Sequence, residues 1–219
     1  MSIIELTDEI ITCRQCPRLV AWREEVAQTK RKAYLGHDYW GKPVPGFGDP
    51  QARVMVVGLA PGAHGSNRTG RQFTGDGSGD FLFPALHQAG FASQADSVAR
   101  DDGLLLSEMW ITAVGRCAPP QNKPTAEELN TCQLFLEREI ELIQPKVFVA
   151  LGRIAFERIL RIYSLRKKDY SFSHGALHQI PTKEWLLASY HPSRQNTQTG
   201  RLTVEMFDSI WQTALKLIK

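Results

Sequence analysis

Residues 53–70 read Arg53-Val-Met-Val-Val-Gly58-Leu-Ala-Pro-Gly62-Ala-His-Gly-Ser-Asn-Arg-Thr-Gly70. The first six are a short apolar and β-branched run, the pattern of a strand buried on both faces. At Gly58 the pattern breaks into a polar, glycine-rich stretch that is expected to be loop throughout. Three more runs of the first kind follow: Met109 to Val114, Lys146 to Leu151 and Lys183 to Tyr190. Helical segments separate them. Phe81 to Ala89 is one. A second opens with the capping box Thr125-Ala-Glu-Glu128 and carries Leu129, Cys132, Leu136, Ile140 and Ile143 on one face. Gly152 to Ile162 and Thr203 to Ile218 are the third and fourth. Strands alternating with helices predict an α/β domain whose parallel sheet, about four-stranded, is covered on both faces. Neither a repeat nor a linker divides residues 1–219, so one domain is expected.

Composition narrows the class without naming an activity. The chain has 219 residues, 42% hydrophobic and 22% charged, which excludes a disordered polymer. Four cysteines are too few for a disulfide scaffold of the secreted kind. There is no apolar run near the roughly 20 residues that cross a bilayer, and Met1 to Ile10 lacks signal-peptide character, so a cytoplasmic protein without a membrane partner is expected. The net charge of +3 conceals an asymmetry: residues 153–201 hold 9 basic and 3 acidic side chains. Such a segment suits a surface that faces phosphates.

Ligands of open parallel sheets sit beyond the carboxyl ends of the strands. After the first strand lies the glycine-rich loop with His64, Asn67, Arg68, Arg71, Phe73 and Asp76. Its glycines let backbone N–H groups point at an anion or a carbonyl oxygen. It is neither a P-loop nor a dinucleotide fingerprint, because no Gly-Lys-Ser/Thr and no GxGxxG is present. After the fourth strand comes His191-Pro-Ser-Arg-Gln-Asn196, with Thr197 and Arg201 beyond it. These are phosphate-donor residue types around a histidine able to donate to developing negative charge.

The cysteines are spaced C-x2-C-x100-C-x14-C, at Cys13, Cys16, Cys117 and Cys132. Pro17 argues against a helix directly after the pair. Four thiolates suit zinc or a 4Fe-4S cluster, and ligand identity alone does not separate the two.

Together these segments resemble the uracil-DNA glycosylase superfamily, above all its family 5, over nearly the whole chain. The resemblance rests on Gly58 to Asp76, His191 to Thr203, Arg116-Cys-Ala-Pro-Pro-Gln-Asn-Lys-Pro124 and the cysteine spacing. It implies a three-layer α/β/α sandwich with a 4Fe-4S cluster on Cys13, Cys16, Cys117 and Cys132. Also implied is a monomer that flips uracil from DNA and hydrolyses its N-glycosidic bond. Gly58, Ala60, Pro61, Gly62, Phe73 and Asn122 are the implied base pocket. Asp76 and His191 are the implied catalytic pair, Asp76 replacing a polar group absent from the Leu59-Ala60 dipeptide. DNA contacts are expected from His64, Asn67, Arg68, Arg71, Ser193, Arg194, Gln195, Asn196 and Arg201.

The sister family 4 carries an asparagine that reads the uracil edge, and Ala113 occupies the corresponding place here. Hypoxanthine, xanthine and other damaged bases are therefore expected to enter as well. Two alternatives belong to other classes. A metal-dependent nuclease or phosphohydrolase would rely on Asp76 and Asp80, and a non-catalytic iron–sulfur module would only bind DNA.

Overall fold

A computed structural model describes residues 1–219. In chain order the main elements are helices α1 (Ile3–Thr12) and α2 (Pro17–Thr29), then strands β1 (Phe47–Gly48) and β2 (Val54–Gly58). Next come α3 (Ser66–Thr69), α4 (Gly79–Gln88), β3 (Met109–Ala113), α5 (Ala126–Ile143), β4 (Val147–Leu151) and α6 (Arg153–Ile162). The chain closes with β5 (Leu177–Gln179), β6 (Trp185–Ser189), α7 (Arg194–Gln198) and α8 (Val204–Ile218).

The sheet has the order β1-β3-β2-β4-β6-β5. Its four central strands are parallel, as the apolar runs predict, and β1 and β5 add antiparallel edges. These edges extend the expected four strands to six. With two and three residues they are too short for a periodic signal.

Alternation along each strand divides the core in two. Val54 and Val56 pack with Phe83, Phe207 and Trp211 of α4 and α8. Met55 and Val57 pack with Leu136, Phe156 and Ile159 of α5 and α6. Each large apolar side chain removed from water contributes about 1.5–3 kcal/mol. The result is the three-layer α/β/α sandwich. A smaller cluster of Leu6, Ile10 and Phe135 holds α1 against α5.

Two local expectations are corrected. Pro17 starts α2 at its first position, where a missing N–H costs nothing and the fixed φ suits a helix. The loop after β2 is interrupted by α3, a single turn that ends at Gly70 with φ +78°. Parallel register brings Gly58 beside Ala113 and Leu151 beside Ser189, so the ends of four strands meet along one edge of the sheet.

Candidate functional site

Along that edge lies a cleft of about 750 Å³. Its floor begins where β2 ends. A Cβ on Gly58 would stand 2.7 Å from Phe73 Cζ, so the glycine lets the aromatic ring lie over the strand end. Phe73 is buried and has φ +54°, a conformation rarely adopted outside glycine and suggestive of functional strain. Its ring centroid is 5.9 Å from that of His191, with the planes inclined by 30°.

Asp76 occupies the far end of the same loop. Its Oδ1 accepts from the backbone N–H groups of Ser78 (2.9 Å) and Gly79 (3.2 Å), at the start of α4. The Oδ2 oxygen instead faces Gly62 and Gly65, where hypothetical Cβ atoms would crowd it. Burial pushes the Asp76 carboxyl above the ordinary range, against the opposing pull of the two backbone N–H groups and Arg194. Such an oxygen, unpaired within the protein, can hold a water.

His191 follows β6. Asn196 fixes this turn by donating from Nδ2 to the His191 carbonyl at 2.9 Å, while the Ser193 side chain caps α7. Burial alone brings the imidazole down to about 4, so it is neutral at pH 7 and available as an N–H donor.

The expected residues divide into two groups. Gly58, Ala60, Gly62, His64, Phe73, Asp76, Asn122, His191, Ser193, Arg194 and Gln195 share the cleft. Asn122 does so from an exposed position with φ +57°. Pro61 is buried behind the wall, and Arg201 is exposed on Tyr190, 4.8 Å from its ring centroid.

Asn67, Arg68 and Arg71 are corrected as DNA contacts, because all three side chains are buried and committed internally. Asn67 donates to the Arg23 carbonyl at 3.2 Å. Arg68 bridges the carbonyls of His64 (2.8 Å) and Gly75 (2.9 Å), clasping the two arms of the loop. Arg71 pairs with Asp102 at 2.6 Å and Ser97 at 2.8 Å. Burial works against the Asp102 charge, yet Arg71 and three backbone N–H groups hold its carboxyl at about 2. Asn196 likewise spends its amide on the turn.

Arg31, Tyr34, Ser66 and Gln72 also line the cleft and were not expected there. The signal for the first two was the basic and aromatic run Lys30-Arg-Lys-Ala-Tyr34.

Cys13, Cys16, Cys117 and Cys132 line one small hollow between α2, α5 and the end of β3. Burial pushes the free thiols of Cys16 and Cys117 up to about 11 and about 12, and Cys132 also upward. Four thiolates therefore need positive charge nearby. Arg23, only 2% exposed, supplies it by donating from Nη1 to Cys117 Sγ at 2.9 Å. The Nε atoms of Arg23 and Arg116 are buried without a partner. An anionic thiolate-bound group fits this chemistry, although no three ligand side chains are drawn tightly together.

The description "Uracil DNA glycosylase superfamily" belongs to a family profile that matches residues 45–215. A type-5 uracil-DNA glycosylase of Thermus thermophilus is 57% identical over 95% of this chain and 94% of its own length. Another, from Mycobacterium leprae, is 51% identical over 99% of this chain and 96% of its own length. A type-4 uracil-DNA glycosylase of Archaeoglobus fulgidus is 30% identical, covering 88% of this chain and 82% of its own.

Proposed function

This chain belongs to the uracil DNA glycosylase superfamily, and from that premise we propose which of its residues perform the chemistry. The activity is excision of uracil from DNA in repair, by hydrolysis of the N-glycosidic bond. An abasic site is the product.

Convergence of Phe73, Asp76 and His191 on one cleft carries the assignment of roles. The extrahelical base stacks on Phe73. As the glycosidic bond lengthens, the base gathers negative charge and the sugar positive charge. Neutral His191 donates to a base carbonyl oxygen, and backbone N–H groups of the glycine-rich loop add to the effect. A well-aimed donor of this kind contributes about 2.7–4 kcal/mol to the transition state. Asp76 orients the attacking water through Oδ2 and stabilises the sugar cation, as carboxylates do in glycoside hydrolysis. Arg194 and Gln195, both exposed at the rim, face the DNA.

Ala113 supports a wider substrate range, since its methyl side chain on the cleft wall makes no hydrogen bond to a uracil edge. Hypoxanthine and xanthine are accepted as well. Cys13, Cys16, Cys117 and Cys132 hold a 4Fe-4S cluster, which when bound supplies a covalent tie between the N-terminal segment and the segment after β3. Its part is structural, because hydrolysis transfers no electrons. No helix is long and apolar enough to cross a membrane.

Single-turnover assays on uracil-containing oligonucleotides test the roles. Base release that needs alkali to break the strand is the expected result, with Asp76→Asn and His191→Ala both slowed. Wild-type rates in both variants would overturn the assignment.

A further inference from the structure

The turn between α2 and β1 has no part in the chemistry above, yet it borders the same cleft. Helix α2 ends at Thr29; its cap residue Lys30, a non-glycine residue with φ +53°, turns the chain so that Arg31 and Tyr34 reach the rim. Arg31 and Tyr34 line the cleft beside His64.

Tyr34 is firmly supported. The Arg68 guanidinium lies 4.1 Å from its ring centroid, and His37 meets it edge-on at 5.3 Å. Arg68 is itself fixed by the His64 and Gly75 carbonyls. Backbone bonds Tyr34 N to Arg31 O (2.7 Å) and His37 N to Tyr34 O (3.0 Å) close the turn. Lys30 Nζ adds a bond to the Leu35 carbonyl at 3.4 Å.

At the tip of this stiff turn is Leu35, 61% exposed. Next to it, Lys30, Arg31 and Lys32 form no salt bridge with any acidic side chain. An apolar tip amid unpaired cations, held beside the mouth of the cleft, matches duplex nucleic acid better than a protein. The cations suit backbone phosphates, and an apolar side chain can part a base step.

We propose that the Lys30–His37 turn is a second DNA-contacting arm, with Arg31 and Lys32 on phosphates flanking the lesion and Leu35 inserted into the base stack. It acts in addition to Arg194 and Gln195, and rests on the uracil-excision reading. Leu35 is on this view a positioning residue, since it touches neighbouring bases rather than the reacting atoms. Its contribution depends on there being a stack to open.

The test compares Leu35→Ala with the wild-type enzyme on one uracil sequence, presented paired with adenine, mismatched with guanine, and single-stranded. A roughly tenfold or greater slowing on the adenine pair is expected, less on the mismatch, and no more than about twofold on the single strand. A 2-aminopurine next to the uracil provides a readout independent of catalysis. Its fluorescence should rise on binding wild-type enzyme and rise less with Leu35→Ala. Arg31→Ala combined with Lys32→Ala should weaken binding to all three substrates and flatten its salt dependence. Equal slowing by Leu35→Ala on all three DNAs, or no change in rate and fluorescence, would overturn the proposal. Absence of base release by the wild-type enzyme on every substrate would instead count against the excision reading on which it rests.

Discussion

Gly65 and Asp76 are packed so closely that a methyl group on Gly65 would stand 2.7 Å from the Asp76 Cγ. The Oδ2 oxygen of Asp76 is directed at that glycine, while Oδ1 is held by Ser78 and Gly79. Backbone and carboxylate thus fit only because position 65 has no side chain. Gly65→Ala should displace the carboxylate and lower the single-turnover rate by about 10²-fold, the low end of what a positioned acid–base group contributes. Substrate affinity should change much less, because stacking of the base on Phe73 does not run through the carboxylate. Rates and KM measured on one uracil oligonucleotide separate the two effects.

On its proposed catalytic role, Asp76 is also a site where function opposes stability. Its carboxyl is half-buried, and loss of hydration pushes it above the usual aspartate range. Asn can still accept the Ser78 and Gly79 hydrogen bonds without carrying the charge. Asp76→Asn should therefore melt at least as high as the wild-type protein at pH 7, by up to a few degrees, while losing at least about 10²-fold in rate. Thermal melts beside single-turnover rates measure both. A lower melting temperature would show that the carboxylate stabilises the loop.

The central fold was legible in the sequence because four apolar runs, each ending at a loop, have few other solutions. That Phe73, Asp76 and His191 share one cleft was legible as well, since the segments that carry them follow the first and fourth of those runs. Less accessible was which polar residues of the loop face outward. Arg68 and Arg71 resemble phosphate ligands until their partners are known. Those partners, Gly75 and Tyr34 for one and Ser97 and Asp102 for the other, are set by tertiary packing. Asn67 answers to Arg23, 44 positions away. Helix α2 was missed for a local reason, since a proline that begins a helix has the same spelling as one that prevents it.

His191 gives a signed dependence on pH. Burial depresses its folded value from 6.5 to about 4, so between these limits the unfolded chain binds more protons than the folded one. Stability should fall as pH drops from 6.5 towards 4. This part of the slope should diminish in His191→Gln, read by urea titrations at several pH values. Activity should show no inflection near 6.5 from this imidazole, since it is neutral on both sides of that pH. An NMR titration placing its pKa near 6.5 would contradict the proposed role of a neutral donor.

Arg23 and Cys117 connect the cysteine hollow to the base cleft. Arg23 donates to the Cys117 sulfur, and its own carbonyl accepts from Asn67 in α3. If the four cysteines hold a cluster, Cys117→Ser should lower bound iron and sulfide and abolish broad absorption near 400 nm. Its melting temperature should fall too, as the tie between α2 and the end of β3 is lost. Arg23→Met should retain iron at first but release it faster to a chelator. Full iron content and unchanged release in both variants would contradict this arrangement.

Arg116 and Glu139 form a buried ion pair at 2.6 Å, each side chain 1% exposed, beneath the segment that leads to Cys117. Thr112 donates to Glu139 Oε2 at 2.6 Å, Gly46 N–H reaches Oε1 at 3.3 Å, and Arg116 also donates to the Thr112 hydroxyl. Removing one partner leaves the other charged and unpaired in the interior, which costs about 3–5 kcal/mol. Glu139→Ala should therefore lower the melting temperature by roughly 10 °C for a chain of this size. Replacing both partners with apolar residues, as in Arg116→Met with Glu139→Leu, removes the unpaired charge and should recover much of that loss. Melting temperatures of both singles and the double complete the cycle. Additive losses would mean that the two side chains act independently, and that the pair does not support the cysteine-bearing segment as a unit.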